Sequence, residues 1–168
     1  PARMGEEVMA RITASVYTGI DVSDTSNIID SNIIMSSQFY GILLRSSLNV
    51  VRNNHISGHV NVGLVLSGDT NVIEQNQITG NDTGILVSLF TSTNVSNNVI
   101  SKNNIHGNAI SNIQNVPRST LNIKRNYWGT TDEVTILSKL NSDSNDFRPY
   151  RFAVADTQQA SDTTAPLP

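Results

Sequence analysis

Cysteine is absent from the 168 residues, which excludes a disulfide framework and any thiolate metal site. Basic charge is scarce: the net charge is −3 and the pI near 5.5, so no basic face is on offer to a nucleic acid. No apolar run is long enough to span a membrane, and no signal-peptide pattern is present. Also missing are apolar residues at 3.6 spacing over about ten positions, which argues against a helical repeat. Apolar content, at 38%, is low for a ball-shaped core, but a solenoid needs only a thin, continuous one.

What is present is repetition. Asn49-Val50-Val51-Arg52-Asn53-Asn54-His55-Ile56 reads 22 residues earlier as Asn27-Ile28-Ile29-Asp30-Ser31-Asn32-Ile33-Ile34. It reads 22 residues later as Asn71-Val72-Ile73-Glu74-Gln75-Asn76-Gln77-Ile78. One asparagine column runs Asn32, Asn54, Asn76, Asn98 at the same step, and a second polar column runs Asn27, Asn49, Asn71, Thr93. Ile12, Ile34, Ile56, Ile78 and Ile100 keep the period, as do Ile29, Val51, Ile73 and Val95. A fixed period of this size means stacked repeats.

The residue types name the kind of stack. Short β-branched pieces punctuated by Gly, Asn and Ser read as strands joined by tight turns. Gly19-Ile20-Asp21-Val22, Gly41-Ile42-Leu43-Leu44, Gly63-Leu64-Val65-Leu66 and Gly84-Ile85-Leu86-Val87 supply one strand per copy; the Ile29 column begins a second and the Ile34 column a third. The fold expected is all-β, a right-handed parallel β-helix solenoid of about 22 residues per coil with three strands per coil. Coils would lie about 4.8 Å apart, and the hand follows from the crossover rule for parallel strands. A sharp bend needs a residue with positive φ, which Asn tolerates. Stacked amides donate to one neighbour and accept from the other, satisfying groups that cost roughly 1–3 kcal/mol when buried unpaired. Asn32, Asn54, Asn76, Asn98 and Asn126 are therefore read as a structural ladder rather than as catalytic groups.

Residues 1–130 are read as coils, the first incomplete. The chain opens on Pro1 rather than an initiator Met, with Ile12 already in register, so a processed product or an excised piece of a longer protein is expected. One coil drops a residue before Gly84 and gains length at Ser88-Leu89-Phe90-Thr91, with Asn98 back on register. Residues 108–120 read as a protruding loop, since Pro117 cannot donate in a central ladder. Leu121–Gly129 restores the pattern, with Asn126 in the asparagine column, Ile123 in the column before it and Trp128 in the isoleucine column. There the indole plugs the open end; a sugar-stacking platform is its alternative use. Residues 131–152 form a C-terminal cap with a short helix. Thr130 and Glu133 stand at capping-box spacing, and Val134, Leu137 and Leu140 fall on one face. Residues 153–168 have the composition of a linker or disordered tail.

The Gly-Ile-x-Leu and Asn-x-Ile features and the closing Asn126-Tyr127-Trp128-Gly129 run resemble the right-handed parallel β-helix repeat proteins of the pectate-lyase-like superfamily, over roughly residues 8–150. The resemblance implies that this run marks a final coil, followed by an Asp-rich segment such as Asp143-Ser144-Asn145-Asp146. Asp162–Pro166 is similar to linkers that introduce Ig-like modules in secreted bacterial proteins, which implies an extracellular, secreted or cell-surface location. That superfamily includes polysaccharide lyases, glycoside hydrolases, uronate epimerases, copper-site assembly factors, phage tailspikes and adhesins. Activity must therefore be read from side chains.

Glycoside hydrolysis needs two carboxylates across a groove, and the resemblance implies acidic calcium ligands with a basic proton acceptor for a lyase. The strongest acidic register, Asp30, Arg52, Glu74 and then Ser96, alternates in sign and reads as a surface ion-pair ladder. The outward column of the glycine strand is Asp21, Leu43, Val65, Leu86, too apolar for acid–base work, so no catalytic residue is assigned. Leu43, Val65 and Leu86 line up as an apolar strip and, with Tyr127, are the ligand-contact candidates. His55 and His59 lie on strand and turn with His106 far along the chain, so no metal site is assigned. Asp132 with Glu133, or Asp143 with Asp146, are the calcium candidates, against capping and solvated charge; no cofactor is expected. The function expected is a non-catalytic module of a secreted or cell-surface protein: a spacer, an adhesin or a glycan-binding scaffold. Its partners would be a polysaccharide or neighbouring domains. Two alternatives stay open. One is the C-terminal part of a polysaccharide lyase, glycoside hydrolase or epimerase with catalytic coils upstream. The other is a self-assembling extracellular subunit that pairs through its N-terminal coil.

Overall fold

The structure, a computed structural model, describes residues 10–89, 95–116, 121–141, 147, 148 and 150. Three parallel sheets share its strands. The first sheet stacks β1 (Arg11–Thr13), β4 (Ile33–Met35), β7 (His55–Ser57), β10 (Gln77–Thr79) and β13 (Asn104–His106). The second stacks β2 (Thr18–Val22), β5 (Tyr40–Leu44), β8 (Val62–Leu66), β11 (Thr83–Val87) and β14 (Ser111–Asn115). The third stacks β3 (Ile28–Asp30), β6 (Val50–Arg52), β9 (Val72–Glu74) and β12 (Val99–Ser101). Each strand pairs with its counterpart one coil on, which makes the molecule a parallel β-helix with three strands per coil.

Its core is a set of vertical files. Ile34, Ile56, Ile78 and Ile105 form one, and Ile42, Leu64, Ile85 and Ile113 another, every one of them fully buried. Ile29, Val51, Ile73 and Ile100 form the third, extended by Ile123, since Asn122 bridges Val99. At the far end Trp128, Ile136, Leu140, Phe147 and Tyr150 close the stack. Trp128 is 3% exposed, so its ring plugs the end of the stack rather than standing out as a stacking platform.

Strict alternation fails once per coil. Tyr40 and Leu43 share a separate cluster, while Ile42 and Leu44 belong to the core, so the phase shifts at Gly41. A Cβ at Gly41 would stand 2.5 Å from the Gly63 carbonyl oxygen, and one at Gly63 would stand 2.8 Å from that of Gly84. The next coil's backbone leaves room for glycine alone. Asn112 takes this place in β14, where the glycine signal is missing. Residues 108–115 are accordingly the last full turn and strand rather than a protruding loop; Pro117 lies outside the described residues.

The insertion shifts the register by five. Ile73 stands opposite Ile100 and Ile78 opposite Ile105, both 27 residues on. Ile100 therefore leaves the Ile78 file, and Ser101 rather than Ser96 follows Glu74. Val95 is buried outside these strand pairings, and Thr93 lies outside the described residues.

The corners revise the expected role of asparagine. Positive φ belongs to the residue before each ladder position: Ser26, Leu48, Thr70 and Asn97 at one corner, Ser31, Asn53, Gln75, Lys102 and Arg125 at another. Asparagine holds the bend by hydrogen bonding while its predecessor carries the strained backbone. A β-branched Thr70 at φ 55° shows how far the ladder overrides local preference. Helix α1 (Glu133–Ser138) is capped by Asp132, which accepts from the Thr135 N–H at 3.0 Å; Thr130 accepts from the Asp132 N–H instead. Its buried face is Ile136, followed by Leu140, whereas Val134 and Leu137 are exposed.

Candidate functional site

Three ladders run the length of the coils. In the central one, the backbone N–H of Asn32, Asn54, Asn76 and Asn103 each donates to the side-chain oxygen of Asn54, Asn76, Asn103 and Asn126 in turn, at 2.9 Å. The Nδ2 groups of the same residues reach the same oxygens at 2.9–3.1 Å. Asn98 stands in the neighbouring ladder, Asn27–Asn49–Asn71–Asn98. The third ladder is Ser37–His59–Asn81–Asn108, with an imidazole as one rung.

That imidazole is committed on both sides. His59 Nδ1 accepts the Ser37 N–H at 3.0 Å, which makes Nε2 the protonated nitrogen, placed 3.1 Å from the Ile34 carbonyl. His59 is 2% exposed, and burial holds its pKa below the ordinary imidazole value. His55 places Nδ1 3.0 Å from the Gln77 side-chain oxygen. His106 packs edge-on against Tyr127 at 5.6 Å, which is where the last ligand-contact candidate lies, and burial lowers its pKa also. The three histidines occupy separate columns.

The acidic register is an ion-pair ladder at its start. Arg52 Nε donates to Asp30 Oδ2 at 2.7 Å. Burial pushes the Asp30 pKa up, but hydrogen bonds from Asn53, Arg52 and Ser31 overcome it and leave the carboxyl below its usual range. A pair that spacing did not suggest joins Arg45 to both oxygens of Asp21, at 2.7 and 2.8 Å. Side-chain reach along the sheet, 24 residues apart in sequence, carries it. Asp132 is spent on its helix cap and Glu133 on Arg148; Asp143 and Asp146 lie outside the described residues.

The outward strip is not open to solvent. Leu43 and Val65 are 2% exposed and pack with Val62, Tyr40 and the half-buried Leu86 in a cluster apart from the core. Leu43 and Val65 therefore present no surface to a ligand in this state. What sequence reading missed is the adjoining corner, where Tyr17 and Phe39 stack at 5.8 Å, and both rings are exposed.

Stacked coils, polar ladders and a closed end define the class: a parallel β-helix repeat protein. Its residues 7–141 match the family described as NosD, periplasmic copper-binding protein, and the chain belongs to that family. No curated protein and no solved structure matches it. None of the helices among the described residues is long and apolar enough to cross a membrane.

The family description names copper, so the donor set matters. Copper takes thiolate, thioether and imidazole ligands that converge. The chain has no cysteine, and among the described residues no three of His, Cys, Asp or Glu come together. With both His59 nitrogens engaged, His55 and His106 in other columns and Met35 the one methionine among the described residues, the described residues do not fit a copper ion.

Proposed function

We propose that the chain is a non-catalytic β-helix module working outside the cytoplasm, as a rigid scaffold on which a glycan or neighbouring domains are held. One observation carries the reading: the polar side chains a solenoid catalyst would place along a face are consumed in holding coils together. Asp30 is on Arg52 and Asp21 on Arg45 between coils, asparagines fill the ladders, and at the cap Glu133 is on Arg148. The periplasmic description of the family supports the location. The test is incubation of the purified chain with acidic and neutral polysaccharides. No reducing ends and no unsaturated products are expected; product that disappears in Asp30→Asn or Glu74→Gln would overturn the proposal.

A further inference from the structure

Between the last coil and α1 lies a cleft of about 480 Å³, a size usual for small-molecule sites, which run from about 300 to 1,000 Å³. His106, Asn112, Trp128, Thr130, Thr135 and Lys139 are among its walls. Trp128 is buried, and its indole N–H meets no acceptor among the described residues. A buried donor left unpaired costs about 1–3 kcal/mol, so an acceptor brought to it is rewarded. Asn112, 4% exposed, accepts the Asn108 Nδ2–H on its Oδ1 at 3.0 Å, which leaves its own Nδ2 hydrogens for another acceptor. Thr130 accepts from the Asp132 N–H, so its hydroxyl hydrogen is available as well.

Charge decides the kind of acceptor. The Lys139 ammonium is fixed over the carbonyls of Asn108, Ala109 and Ile110 at 3.3, 2.8 and 3.5 Å, and among the described wall residues it is the one formally charged group. Of the neighbouring carboxylates, Glu133 is held by Arg148, while Asp132 borders the cleft and accepts the N–H and the hydroxyl of the wall residue Thr135 as its helix cap. Burial lowers the His106 pKa and so disfavours a second positive charge there. A wall of donors with a single positive charge complements a monoanion that only accepts, and a carboxylate is such a group. The cleft is larger than a bare ion, and the indole and Ala109 add apolar wall for the rest of the molecule.

We infer that this cleft at the capped end binds a small organic carboxylate, held by the indole N–H of Trp128 and the amide of Asn112 in the field of Lys139. Trp128 is the chain's single tryptophan, so its emission reports on this site alone. The experiment titrates the full chain with cyclohexanecarboxylate and glucuronate, each against its neutral counterpart, cyclohexylmethanol and glucose. A saturable change in emission is expected with the carboxylates and none with the neutral compounds. Lys139→Gln, which keeps a donor for the turn carbonyls, should weaken binding about tenfold, the loss of one positive charge beside the cleft. Thr130→Val, at an exposed corner, should weaken it about threefold, as fits a neutral hydrogen bond. Circular dichroism confirms that each variant is folded. The inference is overturned by no saturable response up to about 10 mM of either carboxylate, the weak limit of specific binding. An equal response to the neutral compounds, or affinity unchanged in both variants, overturns it too.

Discussion

At His59 an imidazole does the work that asparagine does one coil on. Its Nδ1 takes the Ser37 N–H as Asn81 Oδ1 takes the N–H of His59 itself. Gly41 leaves the space, since a Cβ there would stand 2.6 Å from His59 Nε2. Protonation would put a hydrogen on Nδ1, against the Ser37 donor. Burial holds the folded pKa below the unfolded value near 6.5. Above that pH both states are neutral and stability is flat. As pH falls through 6.5 the unfolded chain takes the proton first, so stability drops, by up to about 1.4 kcal/mol per unit from one group, until the folded pKa is passed. His106 contributes with the same sign. His59→Asn should remove its own share, seen as a smaller loss of denaturant midpoint between pH 7.5 and 5.5 than in the parent; an undiminished loss would contradict the imidazole rung. This third ladder was hard to read in the sequence because its residue type changes from Ser to His to Asn. The two all-asparagine ladders were legible as far as Asn71 and Asn76, for the opposite reason, and were misassigned beyond them.

Among the elements, the strands were readable wherever a glycine or an asparagine announced them. The first three coils carry both signals and match the expected strands. β14 carries neither glycine nor a clean apolar alternation; among the described residues a single bridge, Ile113 to Leu140, stacks on its outer side in place of a full strand. In α1 the spacing of Val134 and Leu137 suggested one face, yet the coil end takes Ile136 instead, a choice fixed by where Trp128 and Leu140 leave room. The outward strip follows similar logic. Alternation places Leu43 and Val65 outside the core, but only packing tells that they are covered. Val65→Lys should accordingly cost about 3 kcal/mol or more in urea unfolding, the penalty of a charge in an apolar cluster. An unchanged midpoint would show that the strip stands open.

Taken as a whole, the molecule is a stack whose register survives an insertion by luck of spacing. The two asparagine ladders lie five residues apart in every coil, as Asn71 and Asn76 do, and the fourth coil is five residues longer. A strict 22-residue step therefore lands on Asn98, an asparagine of the wrong ladder. Periodicity alone cannot separate the two answers, because both columns offer Asn followed two residues later by Ile. Backbone pairing does separate them, and it puts Asn103 above Asn76. Membership of a family described as periplasmic and copper-binding was beyond what the repeat could tell, since solenoid spacing reports the stack and not the cargo.

A pair of double-mutant cycles in denaturant tests this register most directly. Asn76→Ala with Asn103→Ala should show a coupling energy of about 1 kcal/mol or more, since each removes the other's partner. Asn76→Ala with Asn98→Ala should add to within about 0.5 kcal/mol, as sites in different ladders do. Coupling between Asn76 and Asn98, with additivity between Asn76 and Asn103, would contradict the stack.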